Sequence, residues 1–216
     1  MPSDPLILGF DTSAAHVAAA LLSGDQVLAQ THTPMRKGQA ETLFPALDKL
    51  LTGAGKAYAD LDAIAVGVGP GNFTGIRISV SAARGLALAL DRPAIGVTGF
   101  AAVGLGATPS TICSLPAAAG RFYLGRADGS GTPVLWDGDN FDVPPQAILR
   151  HWPDDAVPEF AGATAQAQPI PVAEAICRAA AAQLASGQIT PPKPYYLKPA
   201  DAAPSKTPPV VILDDA

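Results

Sequence analysis

The chain has 216 residues, 48% hydrophobic and only 15% charged, with a formal net charge of -5 at pH 7 and 22 prolines. This length suits one α/β domain or two lobes of about 100 residues each, and two small lobes are expected here. The acidic balance excludes a protein that grips nucleic acid unaided, since phosphate binding leans on Lys and Arg clusters, and the sparse charge implies that another chain covers some apolar surface.

From the first residues onward, 6–10 is a short apolar run, 16–22 a second, and 26–33 alternates apolar and polar, with Ser23-Gly24-Asp25 as the turn between the last two. Three such strands joined by tight turns form an antiparallel meander. A helical pattern follows over 41–51, where Leu43, Phe44, Leu47, Leu50 and Leu51 share a face. Thr42 is expected to cap its regular part, which puts Pro45 in the first turn, where the missing N–H matters least. A strand over 63–67, a helix over 74–90 ended by Arg92-Pro93, and a strand over 94–97 complete the order βββαβαβ. That order fits the ribonuclease-H-like half of the actin and sugar-kinase class of folds.

Beyond Phe100 the composition shifts toward Pro, Gly and Ala, with strand-like runs at 111–115 and 121–126, a turn at Gly129-Ser130-Gly131 and a helix over 172–185. The expected division is an N-terminal lobe at 1–99, a smaller, irregular lobe at 100–198, extended from Thr190 onward, and a loose tail at 199–216. Cys113 and Cys177 stand far apart without a CxxC pair, so they are read as two buried thiols in a reducing compartment. No basic leader precedes Asp11, and no window is expected to approach the roughly 18 apolar residues of a membrane span, which places the chain in the cytoplasm.

Two segments invite chemistry. Asp11, Thr12 and Ser13 end the first strand, where a carboxylate and two hydroxyls can orient a metal-bound phosphate, or simply satisfy backbone donors in the turn. The second reading is favoured, because the other lobe offers no matching acidic residue and glycine-rich loop. The segment 67–75, with Gly69, Gly71, Thr74 and Gly75, carries glycines between a strand and a helix that Thr74 is placed to cap. No Lys follows it, and Pro70 removes a donor that an anion cradle would use, so tight strand-to-helix packing is expected rather than a phosphate loop.

Nucleophilic and metallopeptidase chemistry find no support: His16, His32 and His151 lie in separate segments, and neither GxSxG nor HExxH is present. A two-metal nuclease would need carboxylates converging on Asp11, whereas Glu41, Asp48 and Asp62 read as helix-surface or capping charges. Along 76–90, small residues at Ser79, Ala82, Ala83, Gly85, Ala87 and Ala89 let the backbone approach another helix, while Ile76, Val80, Leu86, Leu88 and Leu90 supply bulk. Two such apolar helices from one small lobe exceed what its sheet covers, which points to a long-lived partner.

Asp11-Thr12-Ser13, Glu41 with its leucine-rich helix, the run 62–67, the run 69–77, Arg84-Gly85-Leu86-Ala87 and, more faintly, Pro194-Tyr195-Tyr196-Leu197-Lys198 together resemble the TsaB (YeaZ) family of glycoprotease-like, peptidase-M22-like proteins. The likeness is strong over about the first hundred residues. It implies an actin-like two-lobe fold with a vestigial nucleotide loop at Asp11, Thr12 and Ser13, no metal, no cofactor and no independent catalysis. It further implies a partner subunit for TsaD in making N6-threonylcarbamoyladenosine in tRNAs that read ANN codons, with TsaE as ATPase, TsaC supplying the donor, and tRNA met through the complex. The two helices would form a bundle with TsaD, or with a second copy in its absence, through Glu41, Leu43, Phe44, Leu47, Leu51, Ile76, Arg77, Val80, Ala83 and Arg84. One departure is Gln39-Ala40, where family members commonly carry His-Ser. The alternatives left open are an ATP-binding or ATP-hydrolysing actin-like enzyme, a peptidase, and a purely structural homodimer.

Overall fold

Alternating and continuous apolar runs at the start of the chain build β1 (Leu6–Asp11), β2 (His16–Ser23) and β3 (Gln26–Pro34), an antiparallel meander. The computed structural model describes residues 4–138, 141–144 and 146–197. After α1 (Gln39–Gly53), β4 (Ala63–Gly67) pairs parallel with β1, and after α2 (Phe73–Leu90), β5 (Ala94–Val97) pairs parallel with β4. The sheet order is β3-β2-β1-β4-β5, the ribonuclease-H-like arrangement of actin-like folds. Because helices cover both faces, β1 is buried along its whole length and β2 over its six central residues.

Two helix starts differ from expectation. α1 begins at Gln39, after Gly38 in the left-handed region at φ 87° with no side-chain cap, so Thr42 lies inside the helix and Pro45 is its seventh residue rather than a first-turn one. For α2 the cap is Asn72, whose side-chain oxygen accepts from the Gly75 N–H at 2.9 Å; Thr74 is already helical. The 18 residues of α2 also reach the length and, at a mean hydropathy of 1.2, the composition of a membrane span, contrary to the sequence reading. Its buried residues Gly75, Ile76, Ser79, Val80 and Ala83 lie against the sheet, which accounts for one apolar side only.

The second sheet follows α3 (Gly99–Val103) and contains β6 (Ile112–Pro116), β7 (Phe122–Arg126), β8 (Val134–Trp136), β9 (Ile148–His151) and β10 (Thr164–Ala167). Its order is β10-β9-β6-β7-β8, with β6, β7 and β8 antiparallel and β9 and β10 parallel to β6. Strand for strand this repeats the first sheet, and among the described residues the connections between β8, β9 and β10 contain no helix. The second lobe is therefore regular in its sheet and irregular in its connections.

Helix α4 (Val172–Ser186), which follows the second sheet in sequence, packs on β1 and β2 of the first. Cys177 sits so close to Gly9 that a Cβ there would collide with its sulfur. In return α3, which follows the first sheet, packs on β6 of the second and also touches α4. Each sheet thus holds a helix that follows the other, and the lobes interlock. The expected tail at 199–216, and Lys198, lie outside the described residues.

Candidate functional site

The two segments singled out for chemistry pack against each other. Thr12 Oγ1 donates to the Gly75 carbonyl at 2.7 Å, and the Asn72 N–H donates to the Ser13 carbonyl at 2.6 Å. A Cβ on Gly75 would strike the Thr12 carbonyl oxygen, one on Gly71 the Ser13 carbonyl oxygen, and one on Gly67 the Asp11 carboxylate. Gly69, at φ 99°, lies where a Cβ would be 2.8 Å from the Tyr195 carbonyl oxygen. At Gly69, Gly71 and Gly75 the missing Cβ lets backbone approach backbone, and at Gly67 it leaves room for the Asp11 carboxylate.

The Asp11 carboxylate is 3% exposed and already engaged. Its Oδ2 accepts from both the N–H and the Oγ–H of Ser13, each at 3.0 Å, and lies 2.8 Å from His16 Nε2. Sequence reading kept the histidines apart, but β2–β3 pairing sets Ala18 opposite His32, on the same strand face as His16, and the two rings meet edge to face with centroids 4.9 Å apart. Burial, then the neighbouring His16, lowers the His32 pKa. Ser13 and His16 both address one oxygen of Asp11, which aligns no hydroxyl-to-imidazole relay.

The other acidic candidates do not converge on this point. Asp62 accepts from the Leu6 N–H at 2.8 Å, Asp48 from the Tyr58 hydroxyl at 2.8 Å, and Glu41 is exposed. Among the described residues no group of three or more His, Cys, Asp or Glu is placed to hold a metal ion. Both cysteines are buried, and burial pushes each thiol up to about 12, so neither is a ready nucleophile.

Of the residues expected to meet a partner, Leu43, Leu47, Leu51, Ile76, Val80 and Ala83 are at most 3% exposed and belong to the core between the sheet and the two helices. Leucine periodicity marked the inward face. The outward face carries a groove of about 440 Å³ between α1 and α2, floored by Leu43 and walled by Ala40, Phe44, Ile78, Ser81, Ala82, Gly85 and Leu86. Phe44 is 44% exposed and Leu88, farther along α2, 86%. Glu41, Arg77 and Arg84 are exposed on the same helices. Sequence reading missed Ala40, Ile78 and Ser81, although the stripe of small residues along α2 was the signal for this face.

Beside the groove, residues 190–197 run as a strap over the first lobe. The Gly96 N–H donates to the Thr190 carbonyl at 2.7 Å and the Tyr195 N–H to the Val68 carbonyl at 2.8 Å. The strap is fixed at the start of α2, where Tyr196 stacks on Phe73 at 4.8 Å, Arg77 Nε donates to the Tyr196 hydroxyl at 3.2 Å, and the guanidinium lies 3.9 Å from the Phe73 ring centroid.

Residues 27–132 match the protein family described as TsaD: tRNA N6-adenosine threonylcarbamoyltransferase. The chain is 31% identical over 144 residues to the tRNA threonylcarbamoyladenosine biosynthesis protein TsaB of Escherichia coli, covering 63% of this chain and 61% of that one. It is 40% identical over 92 residues to the protein of the same name from Bacillus subtilis, covering 43% and 40%. The chain therefore spans less than two thirds of the length of these relatives. Among solved structures, an uncharacterized protein with similarity to peptidase YEAZ from Pseudomonas aeruginosa superposes with a TM-score of 0.73 at 26% identity, over 90% of this chain and 100% of that one.

Proposed function

This chain belongs to the TsaB (YeaZ) family, and from that premise we propose that it is a non-catalytic partner subunit of TsaD in forming N6-threonylcarbamoyladenosine in tRNAs that read ANN codons. The observation that carries this reading is the apolar groove between α1 and α2, which the sheet leaves uncovered. Phe44, Ile78, Leu86 and Leu88 offer roughly 1.5–3 kcal/mol each on full burial, of which about half remains to be gained by the partly covered Phe44, Ile78 and Leu86 and most by the exposed Leu88. The sum is comparable with the low end of association costs, so the groove anchors the contact and the partner's facing helices must add area around it.

A non-catalytic role is supported by the Asp11 turn, whose carboxylate is occupied by Ser13 and His16 and whose backbone is filled by the glycine loop. TsaE and TsaC act with the pair as ATPase and donor synthase, the acidic chain leaves tRNA charge pairing to the other subunits, and a second copy takes the groove when TsaD is missing. The complex works in the cytoplasm. Co-elution with TsaD, followed by reconstitution with TsaE, TsaC, tRNA and ATP, tests this: modification should require the chain, whereas full modification without it contradicts the proposal. ATP hydrolysis by the isolated chain that is lost in Asp11→Ala would instead favour the actin-like enzyme.

A further inference from the structure

The strap meets the docking face at one charged side chain, Arg77. Phe73 and Arg77 stand one turn apart on α2, so the guanidinium lies over the Phe73 ring, 3.9 Å from its centroid. Tyr196 stacks on the same ring at 4.8 Å, and its hydroxyl accepts the Arg77 Nε–H at 3.2 Å. We infer that this cage makes Arg77 a specificity-determining residue of the α1–α2 face, presenting its two Nη groups as a fixed fork to a carboxylate on the docking partner. That the partner is TsaD rests on the docking reading above.

The chemistry of the fork comes first. Nε is committed to Tyr196, whereas among the described residues neither Nη nitrogen has a hydrogen-bond partner, and the side chain is exposed. A planar guanidinium held at its face and at Nε keeps free donors along its outer edge, which a carboxylate meets with two parallel bonds. Because the cage has already restricted the arginine's rotamers, capture of an anion costs less entropy than it would for a loose side chain.

The charge pattern agrees. α2 contains Arg77 and Arg84 and no acidic residue, and among the described residues neither arginine takes part in a salt bridge. Arg77 is the fifth residue of the helix, near the positive end of its dipole, where a cation is disfavoured and a facing carboxylate relieves it. Arg77 adjoins the groove-lining Ile78, and Arg84 adjoins Gly85, so the two cations flank an apolar groove and stand roughly 10 Å apart along the helix. Such a face suits a protein helix with acidic residues about two turns apart; a nucleic-acid backbone would set phosphates against the apolar lining.

The test is a double-mutant cycle, read by isothermal titration of full-length variants with TsaD. Arg77→Lys keeps the charge and loses the fork, and should raise the Kd by about tenfold. Tyr196→Phe keeps the ring stack and removes the acceptor of the Nε–H. It should raise the Kd by about threefold in the parent and leave it unchanged in the Arg77→Lys background, because Tyr196 acts through Arg77. Binding by Arg77→Lys within twofold of the parent would overturn the inference, as would a threefold loss from Tyr196→Phe that persists in the Arg77→Lys background. Unchanged TsaD binding with weaker retention of tRNA by the Arg77→Lys complex would assign the fork to phosphate and overturn it likewise. A parent chain that does not bind TsaD at all removes the partner reading itself, and the inference falls with it.

Discussion

Phe44→Glu separates a docking surface from a core position. Phe44 lines the groove and is 44% exposed, so association has only about half of a phenylalanine's burial left to gain, about 1 kcal/mol, and Phe44→Ala should weaken TsaD binding by about fivefold. A carboxylate at the same place has no cationic partner inside the apolar groove, and its desolvation adds several kcal/mol, which raises the Kd by more than about 100-fold. The isolated chain should lose only about 1 kcal/mol, a fall of about 2–4 °C in Tm, because the helix face at this position is already open to water. Val80→Arg makes the contrast: at 3% exposure it belongs to the core, so it should unfold the lobe and report nothing about docking. Isothermal titration with TsaD beside circular-dichroism melts decides. A folded Phe44→Glu protein that binds TsaD within twofold of the parent would refute the reasoning.

Gly75→Ala should lower Tm by about 2–10 °C despite alanine's better helix propensity, because its methyl would collide with the Thr12 carbonyl and force the two loops apart; a rise in Tm would mean that the contact is loose. Asn72→Ala removes the acceptor for the Gly75 N–H and should cost about 1 kcal/mol in denaturant unfolding, whereas Asn72→Asp should be nearly neutral. Burial pushes the Asp155 carboxyl up to about 6 from an ordinary 3.8, so the folded state favours its protonated form and loses that contribution as pH rises from about 4 through 6. Asp155→Asn should therefore raise Tm relative to the parent above about pH 7 and give no advantage near pH 4; an equal shift at both would exclude this cause.

The first lobe was legible because its signals are local: three apolar runs with short turns make the meander, and a short glycine-rich loop joins the strand ending at Gly67 to α2. The second sheet was not, since β8 has three residues and β10 four, too few to show a period, and among the described residues the links between β8, β9 and β10 contain no helix to mark a parallel crossover. The location of α4 was equally hidden, because its partners Ile7 and Ala20 lie more than 150 residues away in sequence. On α1 and α2, the large apolar residues expected to meet a partner serve the sheet, and the groove on the outward face is lined by Ala, Ser and Gly with a few bulky neighbours. His16 and Asp11 are five residues apart across a turn, and only the hairpin geometry brings imidazole to carboxylate.

The central claim, that the α1–α2 face acts by receiving a partner, is tested most directly by the modified nucleoside itself. In cells whose only copy of this protein carries Leu86→Arg at parental soluble levels, mass spectrometry of bulk tRNA should find N6-threonylcarbamoyladenosine reduced to the level of cells lacking the protein. Parental levels of the nucleoside in those cells would contradict the account.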